Sequence, residues 1–295
     1  MRYRIHHQLQ YTYSQPVELG PHTLRLRPRC DGSQLLHSFQ LQITPQPLGL
    51  ADIFDLEGNT VIQSWFPQGL VDRLVVKATS CVETLRSNPF NFLLEPWALT
   101  LPFDYPATTL AQVRPYLGDQ RFGGDRLDPA VWELAQGLLY KTNGNTIDFL
   151  SDLNDTIYNH CTYQQRETGN PMPPGMTWRR KCGSCRDLAV LFIDVCRVVG
   201  LAVRFVSGYE VGDPEIPEKH LHAWVEVFLP GAGWRGYDPT QGLVTADRHI
   251  PLAASALPQN TAPLPGTFRG RSASAHLTFE LQIEPIGESL TPQDY

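Results

Sequence analysis

Residues 181–190 read KCGSCRDLAV, and two later stretches, HAWVEVFL from His222 and WRGYDPT with Asp238, add an imidazole and a carboxylate. Cysteine, histidine and aspartate are the parts of a thiol nucleophile activated by a base, with the base oriented by a third group. Cys185 falls in the first turn of an expected helix. There the free backbone N–H groups and the helix dipole favour a thiolate over a thiol, and the same amides can hold the oxyanion of a tetrahedral intermediate. Cys196, in mid-helix, has neither advantage, and Cys182 lies before the helix.

Other chemistries use the same residues. Cys182, Cys185, His220 and His222 are four ligands of a type that suits zinc. However, the 34 residues between Cys185 and His220 match no common zinc-finger spacing, and Asp238 would be left without a role. A Cys-x-x-Cys redox pair wants a strand before the motif, whereas a polar loop, RETGNPMPPGMTWRR (166–180), precedes it here. A third reading is an inactive core that serves as a binding module. The intact cysteine, histidine and aspartate argue against that one.

The elements that must position these residues can be read from periodicity. Leu188, Leu191, Phe192, Val195, Val198 and Val199 recur at three- and four-residue spacing, which predicts an amphipathic helix ending at Gly200. The alternation in LAVRFVSGYE, HAWVEVFL and WRGYDPT predicts strands, with PGAG (230–233) as a hairpin turn. A plain four-residue turn would set Asp238 opposite Val225 and point it away from His222. A three-residue turn with a glycine bulge sets it opposite Trp224, on the face that His222 shares. The sequence therefore predicts the irregular turn.

Among neighbouring residues, Asp187 reads as a first-turn acid favoured by the dipole. Glu226 reads as the partner of Arg204 or Arg235, Trp224 and Trp234 as core aromatics flanking the site, and His220 as an exposed loop-end residue. The Trp178 indole is a candidate donor to the substrate oxygen.

Further toward the N-terminus, YRIHHQLQYTY places Tyr3, Ile5, His7, Leu9, Tyr11 and Tyr13 on one strand face. HTLRLRP, SFQLQITP and RLVVKATSCVE repeat the alternation with turns such as Glu57-Gly58-Asn59 between them. This predicts a small β-sandwich-like domain over residues 1–100, in which His6, His7, His22 and His37 are expected to face solvent. A connector over 101–126 follows. A catalytic core over 127–295 opens with a helix after Asp128-Pro129 and a second from Thr146 to about Cys161, and closes with the strand HLTFELQIEP.

At 295 residues the chain can bury a substantial core. A net charge of −6 argues against a nucleic-acid partner and against a polybasic membrane contact. The most apolar run, 188–206, carries Asp194, Arg197 and Arg204 and cannot span a bilayer, and the N-terminus lacks the apolar core of a signal peptide. The expected location is cytoplasmic. The six cysteines are scattered, and a chain of this size needs no disulfide to fold.

The segments GSCRDLAVLF, VVGLAVRFVSGYE and HLHAWVEVFLPGAGWRGYDPTQGL resemble the core of bacterial transglutaminase-like proteins, which belong to the papain-like thiol enzymes. The stretch from Tyr3 through LRLRPR, DLEGNTV and LVVKATSCVE resembles their N-terminal β-domain, and NPFNFLLEPWA the usual connector. The chain departs from these relatives after ADRHIPLA, where it reads ASALPQN. The resemblance implies an α+β fold in which a helix carrying the cysteine packs on an antiparallel sheet carrying the histidine and aspartate. It implies Cys185 as nucleophile, His222 as general base and acid, and Asp238 as the orienting carboxylate. The implied substrate is a peptide, a protein or a small amide, and no cofactor or metal is called for, since no calcium loop of the animal enzymes is apparent.

Overall fold

A computed structural model describes residues 1–118, 128–166, 169–212 and 220–286. The chain opens with β1 (Arg2–Leu24), a 23-residue strand whose inward face buries Tyr3, Ile5, His7, Leu9 and Tyr13, as period-two alternation requires. It is followed by β2 (Gln34–Thr44), β3 (Gly49–Phe54), β4 (Thr60–Trp65) and β5 (Leu70–Thr84). These strands join in the order β2-β5-β1-β4-β3, in one continuous sheet rather than two, because β1 is long enough to serve successive partners along its length.

The connector carries α1 (Ala107–Val113), and residues 119–126, its expected end, lie outside the described residues. Its Leu101, Phe103 and Tyr105 are buried in the same core as the later helices. α2 (Pro129–Lys141) begins where the Asp128 carboxylate accepts the Ala130 amide and proline occupies the first turn. α3 (Thr146–His160) is capped by the Asn145 side chain, which accepts the amides of Ile147 and Asp148.

The expected loop at 166–180 is shorter than its composition suggests. After β6 (Thr162–Tyr163), Pro174–Arg180 form a helix, α4, with Pro174 in its first turn. Proline's fixed φ starts a helix as readily as it breaks one. Next come β7 (Cys182–Gly183), α5 (Cys185–Val198), β8 (Val203–Glu210), β9 (Leu221–Leu229), β10 (Gly233–Asp238), β11 (Leu243–Val244) and β12 (His249–Ser255). Four of them flank β9 in an antiparallel sheet ordered β11-β10-β9-β8-β12. α5 buries Leu188, Leu191, Phe192 and Val195 against β8 and β9, where they meet Val203, Ala223, Val225 and Val227. Each such side chain contributes about 1.5–3 kcal/mol by leaving water.

The end of the chain does not finish the core sheet. β13 (Gly266–Arg269) and β14 (Ala275–Ile286) return to β1, and β14 pairs with it from Arg2↔Ile286 to Tyr13↔Ala275. The C-terminal strand expected within 127–295 thus belongs to the seven-stranded sheet. Its physical role there is to cover the edge of β1 that β5 leaves open, where unpaired N–H and C=O groups would otherwise face solvent.

The two sheets also meet. Tyr3, Ile5, Val82 and Leu281 of the first pack with Tyr209, Ile250 and Leu252 of the second. Asn59 donates to the Ala254 carbonyl and accepts its amide, both at 2.9 Å, while Glu57 accepts from Ser255.

Candidate active site

The helix start that carries Cys185 is built by its neighbours. The Ser184 amide and hydroxyl donate to Asp187 Oδ2 at 2.7 and 2.8 Å, while Asp187 Oδ1 accepts the Arg166 guanidinium at 2.5 Å and the Met172 amide at 2.6 Å. Asp187 is therefore the expected first-turn acid, and it also ties the preceding loop to the helix. Gly183 is needed where it stands, since a Cβ there would lie 2.7 Å from that of Asp187. Cys185, held at the first helical position, keeps its amide among those without an intrahelical acceptor.

His222 and Asp238 are brought together by the hairpin. Gly233 pairs with Leu229 and Tyr237 with Val225, so the turn holds three residues and Asp238 falls opposite Trp224. The Ala232 amide closes the turn on the Leu229 carbonyl at 2.9 Å, with Gly231 at φ +87° and Gly233 at φ +73°, values at which an L side chain is strained. This is the irregularity that the sequence predicts. Asp238 becomes the diagonal same-face neighbour of His222 and accepts its Nε2–H at 2.7 Å. Asp238 Oδ1 accepts the amides of Thr240 and Gln241.

The Cys185 sulfur lies beside the His222 side chain and the Ala223 amide, close enough for both to act on its thiol. With Nε2 committed to Asp238, Nδ1 is the imidazole nitrogen left for the sulfur. Burial alone pushes the Cys185 thiol up, but the hydrogen bond and charge of His222, the Ala223 amide and Arg186 outweigh it, and the thiol lies below its ordinary value. Burial likewise opposes a charged His222, yet Asp238 and Cys185 together raise it well above the usual imidazole range. For Asp238, burial is outweighed by His222 and His249, which hold the carboxyl well below the usual carboxylate range. The arrangement favours a thiolate–imidazolium pair anchored on a buried carboxylate. Cys196, fully buried on the same helix, is pushed well above its ordinary value, and burial pushes Cys161 up to about 11.

The other residues singled out in the sequence divide clearly. Arg204 pairs with Glu226 at 2.6 Å and lies over Trp234, so Arg204 and not Arg235 is the partner. Trp224 is buried and stacks on His222, whereas Trp234 sits four residues along β10 from Asp238, against Tyr116 and Phe228. Trp178 lies outside the cleft that Cys185 opens on and packs with His160 and Lys181, so its indole is not placed as a donor to substrate. His220 is half-buried against Phe279. Among the described residues, no cluster of three or more histidine, cysteine or acidic side chains is arranged to hold a metal, the four of the zinc reading included.

Two histidines correct the sequence reading. His7 and His22, expected to face solvent, are buried, in keeping with the β1 face that His7 shares with Ile5 and Leu9. His249, to which the sequence reading gives no role, donates to Asp238 Oδ2 at 3.0 Å and packs edge-on against Trp224. Asp238 therefore serves two imidazoles. The only local signal for His249 was a polar residue at the head of an apolar strand.

Cys185 and His222 open on a cleft of about 730 Å³ whose walls come from both sheets. A nucleophile, an acid–base group and an orienting carboxylate beside a cavity of this size are suited to acyl transfer.

Comparison with known proteins agrees with this layout. Residues 3–83 match the model of the bacterial transglutaminase-like N-terminal region, and residues 133–239 match that of the transglutaminase-like superfamily core. An uncharacterized protein of Mycobacterium tuberculosis, Rv2569c, is 26% identical over 98% of this chain and 95% of its own length. A crystal structure of a candidate cysteine protease from Cytophaga hutchinsonii covers 100% of this chain and 94% of its own, with a TM-score of 0.71 at 19% identity, a likeness of fold.

Proposed function

Because the chain belongs to the transglutaminase-like superfamily and joins that core to the bacterial N-terminal region, we propose that it is a thiol-dependent acyl-transfer enzyme acting on amide bonds. The observation that carries this reading is that Cys185 and His222 line one cleft, with the His222 imidazole held at 2.7 Å by the buried Asp238 carboxylate. In the proposed reaction the Cys185 thiolate adds to the amide carbonyl, and helix-start amides face the developing oxyanion. The C–N bond then breaks as His222 gives its proton to the departing amine. The second nucleophile then gives a proton to His222 as it adds to the thioester carbonyl, and the C–S bond breaks, which releases the acyl group and restores the thiolate. Asp238 holds the imidazole in the orientation that both transfers need.

Water as the second nucleophile makes the protein a cysteine peptidase or amidase, and we favour that outcome. A primary amine would make it a transglutaminase through the same thioester. The test is incubation of a glutamine-containing peptide with and without a primary amine, following chain cleavage, ammonia release and amine incorporation. Hydrolysis predicts cleavage or ammonia release without added amine, and incorporation would assign the transfer branch. No product and no acyl-enzyme mass on Cys185 across varied peptides would overturn the enzyme reading in favour of a binding module.

A further inference from the structure

One wall of the cleft that Cys185 and His222 line is made by the seven-stranded sheet. β1 presents His7, Leu9 and Tyr11, and β14 presents Leu277 and Phe279, paired Leu9↔Phe279 and Tyr11↔Leu277. Tyr11, Leu277 and Phe279 are half-buried and line the cleft. Aromatic and branched side chains that pair across a strand form one flat apolar surface.

The rest of the lining does not supply a charged seat. Among the described residues it includes no carboxylate and, besides His222, two cations, Arg166 and Arg186. Arg166 is spent on Asp187 and the Asn170 carbonyl, and Arg186 on the carbonyls of Gly169 and Arg166, so both hold the loop together. His7, buried with its Nδ1 on the Tyr209 hydroxyl, is neutral at ordinary pH because burial brings it down to about 4, and its Nε2 has no partner among the described residues.

We propose that this strand pair is the substrate-selecting wall of the site, and that it seats a bulky apolar side chain, aliphatic or aromatic, carried by the substrate next to the reacting amide. The proposal rests on the acyl-transfer reading for its chemistry, but the seat is a property of β1 and β14 and can be measured without turnover. Apolar pockets of this kind discriminate by about ten- to a hundredfold between a filled and an empty seat.

Two measurements separate the seat from the chemistry. In the first, Cys185 is inactivated with peptidyl chloromethyl ketones bearing glycine, leucine, phenylalanine or glutamate beside the reactive carbon, each rate being divided by that of iodoacetamide. In the second, calorimetry follows the binding of peptide amides with the same four side chains to Cys185→Ala. The leucine and phenylalanine probes should exceed glycine and glutamate about ten- to a hundredfold in both. Tyr11→Ala and Phe279→Ala should each erase most of that preference, in the iodoacetamide-normalised rates and in the calorimetry alike, and Tyr11→Phe should keep it; thermal melting verifies that the variants fold. A flat ranking, a preference for glutamate, or a preference that survives both alanine variants overturns the seat. Iodoacetamide labelling no faster than for an ordinary thiol would instead overturn the acyl-transfer reading, while the calorimetry still decides the seat.

Discussion

The two walls of the cleft are built in opposite ways. The wall that presents Cys185 and His222, backed by Asp238 and His249, comes from 65 consecutive positions on one helix and three strands of one sheet, and both imidazoles are hydrogen-bonded to the one carboxylate. The wall built by β1 and β14 comes from residues near both ends of the chain, is largely apolar, and offers shape rather than charge. The contrast teaches where each kind of information resides. In the proposed reading, chemistry is concentrated in a short stretch that folds on itself, and selectivity is spread across strands far apart in sequence.

The largest effects should come from breaking the first wall at its centre. Cys185→Ala should lower turnover by on the order of 10^4-fold or more and abolish labelling of the reactive cysteine, as read by peptide mass spectrometry. Asp238→Asn keeps the shape but removes the charge that orients and stabilises the His222 imidazolium. Turnover should fall about 10^3- to 10^4-fold, with the acidic limb of the pH–rate profile displaced.

A smaller loss tests the residue that the sequence reading passed over. His249→Gln should cost about tenfold in kcat, the scale of one hydrogen bond to a charged group, with little change in KM. An unchanged kcat would reduce His249 to a packing residue.

The apolar wall makes a prediction for stability. His7 is held neutral when folded, at about 4 against an ordinary 6.5, so between those values the unfolded chain binds more protons than the folded one. Stability should therefore fall as pH drops from about 6.5 towards 4, by up to about 3 kcal/mol from this group, and His7→Leu should flatten that slope in denaturant titrations. The smallest effect belongs outside the cleft. Trp178→Phe should leave kcat within about twofold, and a large loss would restore the indole as a donor to substrate.

The sequence disclosed the first wall well because its signals are local. Apolar spacing marked α5 with Cys185 in its first turn, and the glycines of PGAG marked an odd turn whose register then decided where Asp238 points. The second wall was legible only in part. The alternation of β1 already put His7 beside Ile5 and Leu9, so its burial was available to the same reasoning that expected it to face solvent. The return of β14 to β1 was not available, because an alternating strand states which of its faces is apolar but not which edge it will pair with. His249 was hidden for a related reason: its bond to Asp238 joins β12 to β10, which are not neighbours in the sheet.

The most direct measurement is the rate of iodoacetamide labelling at Cys185 against pH, in the unaltered protein and in His222→Ala. A thiolate paired with an imidazolium predicts labelling that persists well below the ordinary thiol value of about 8.5, weakens only when acid protonates the sulfur, and moves up towards that value once His222 is gone. Labelling that follows a simple titration near 8.5 in both proteins would contradict the account.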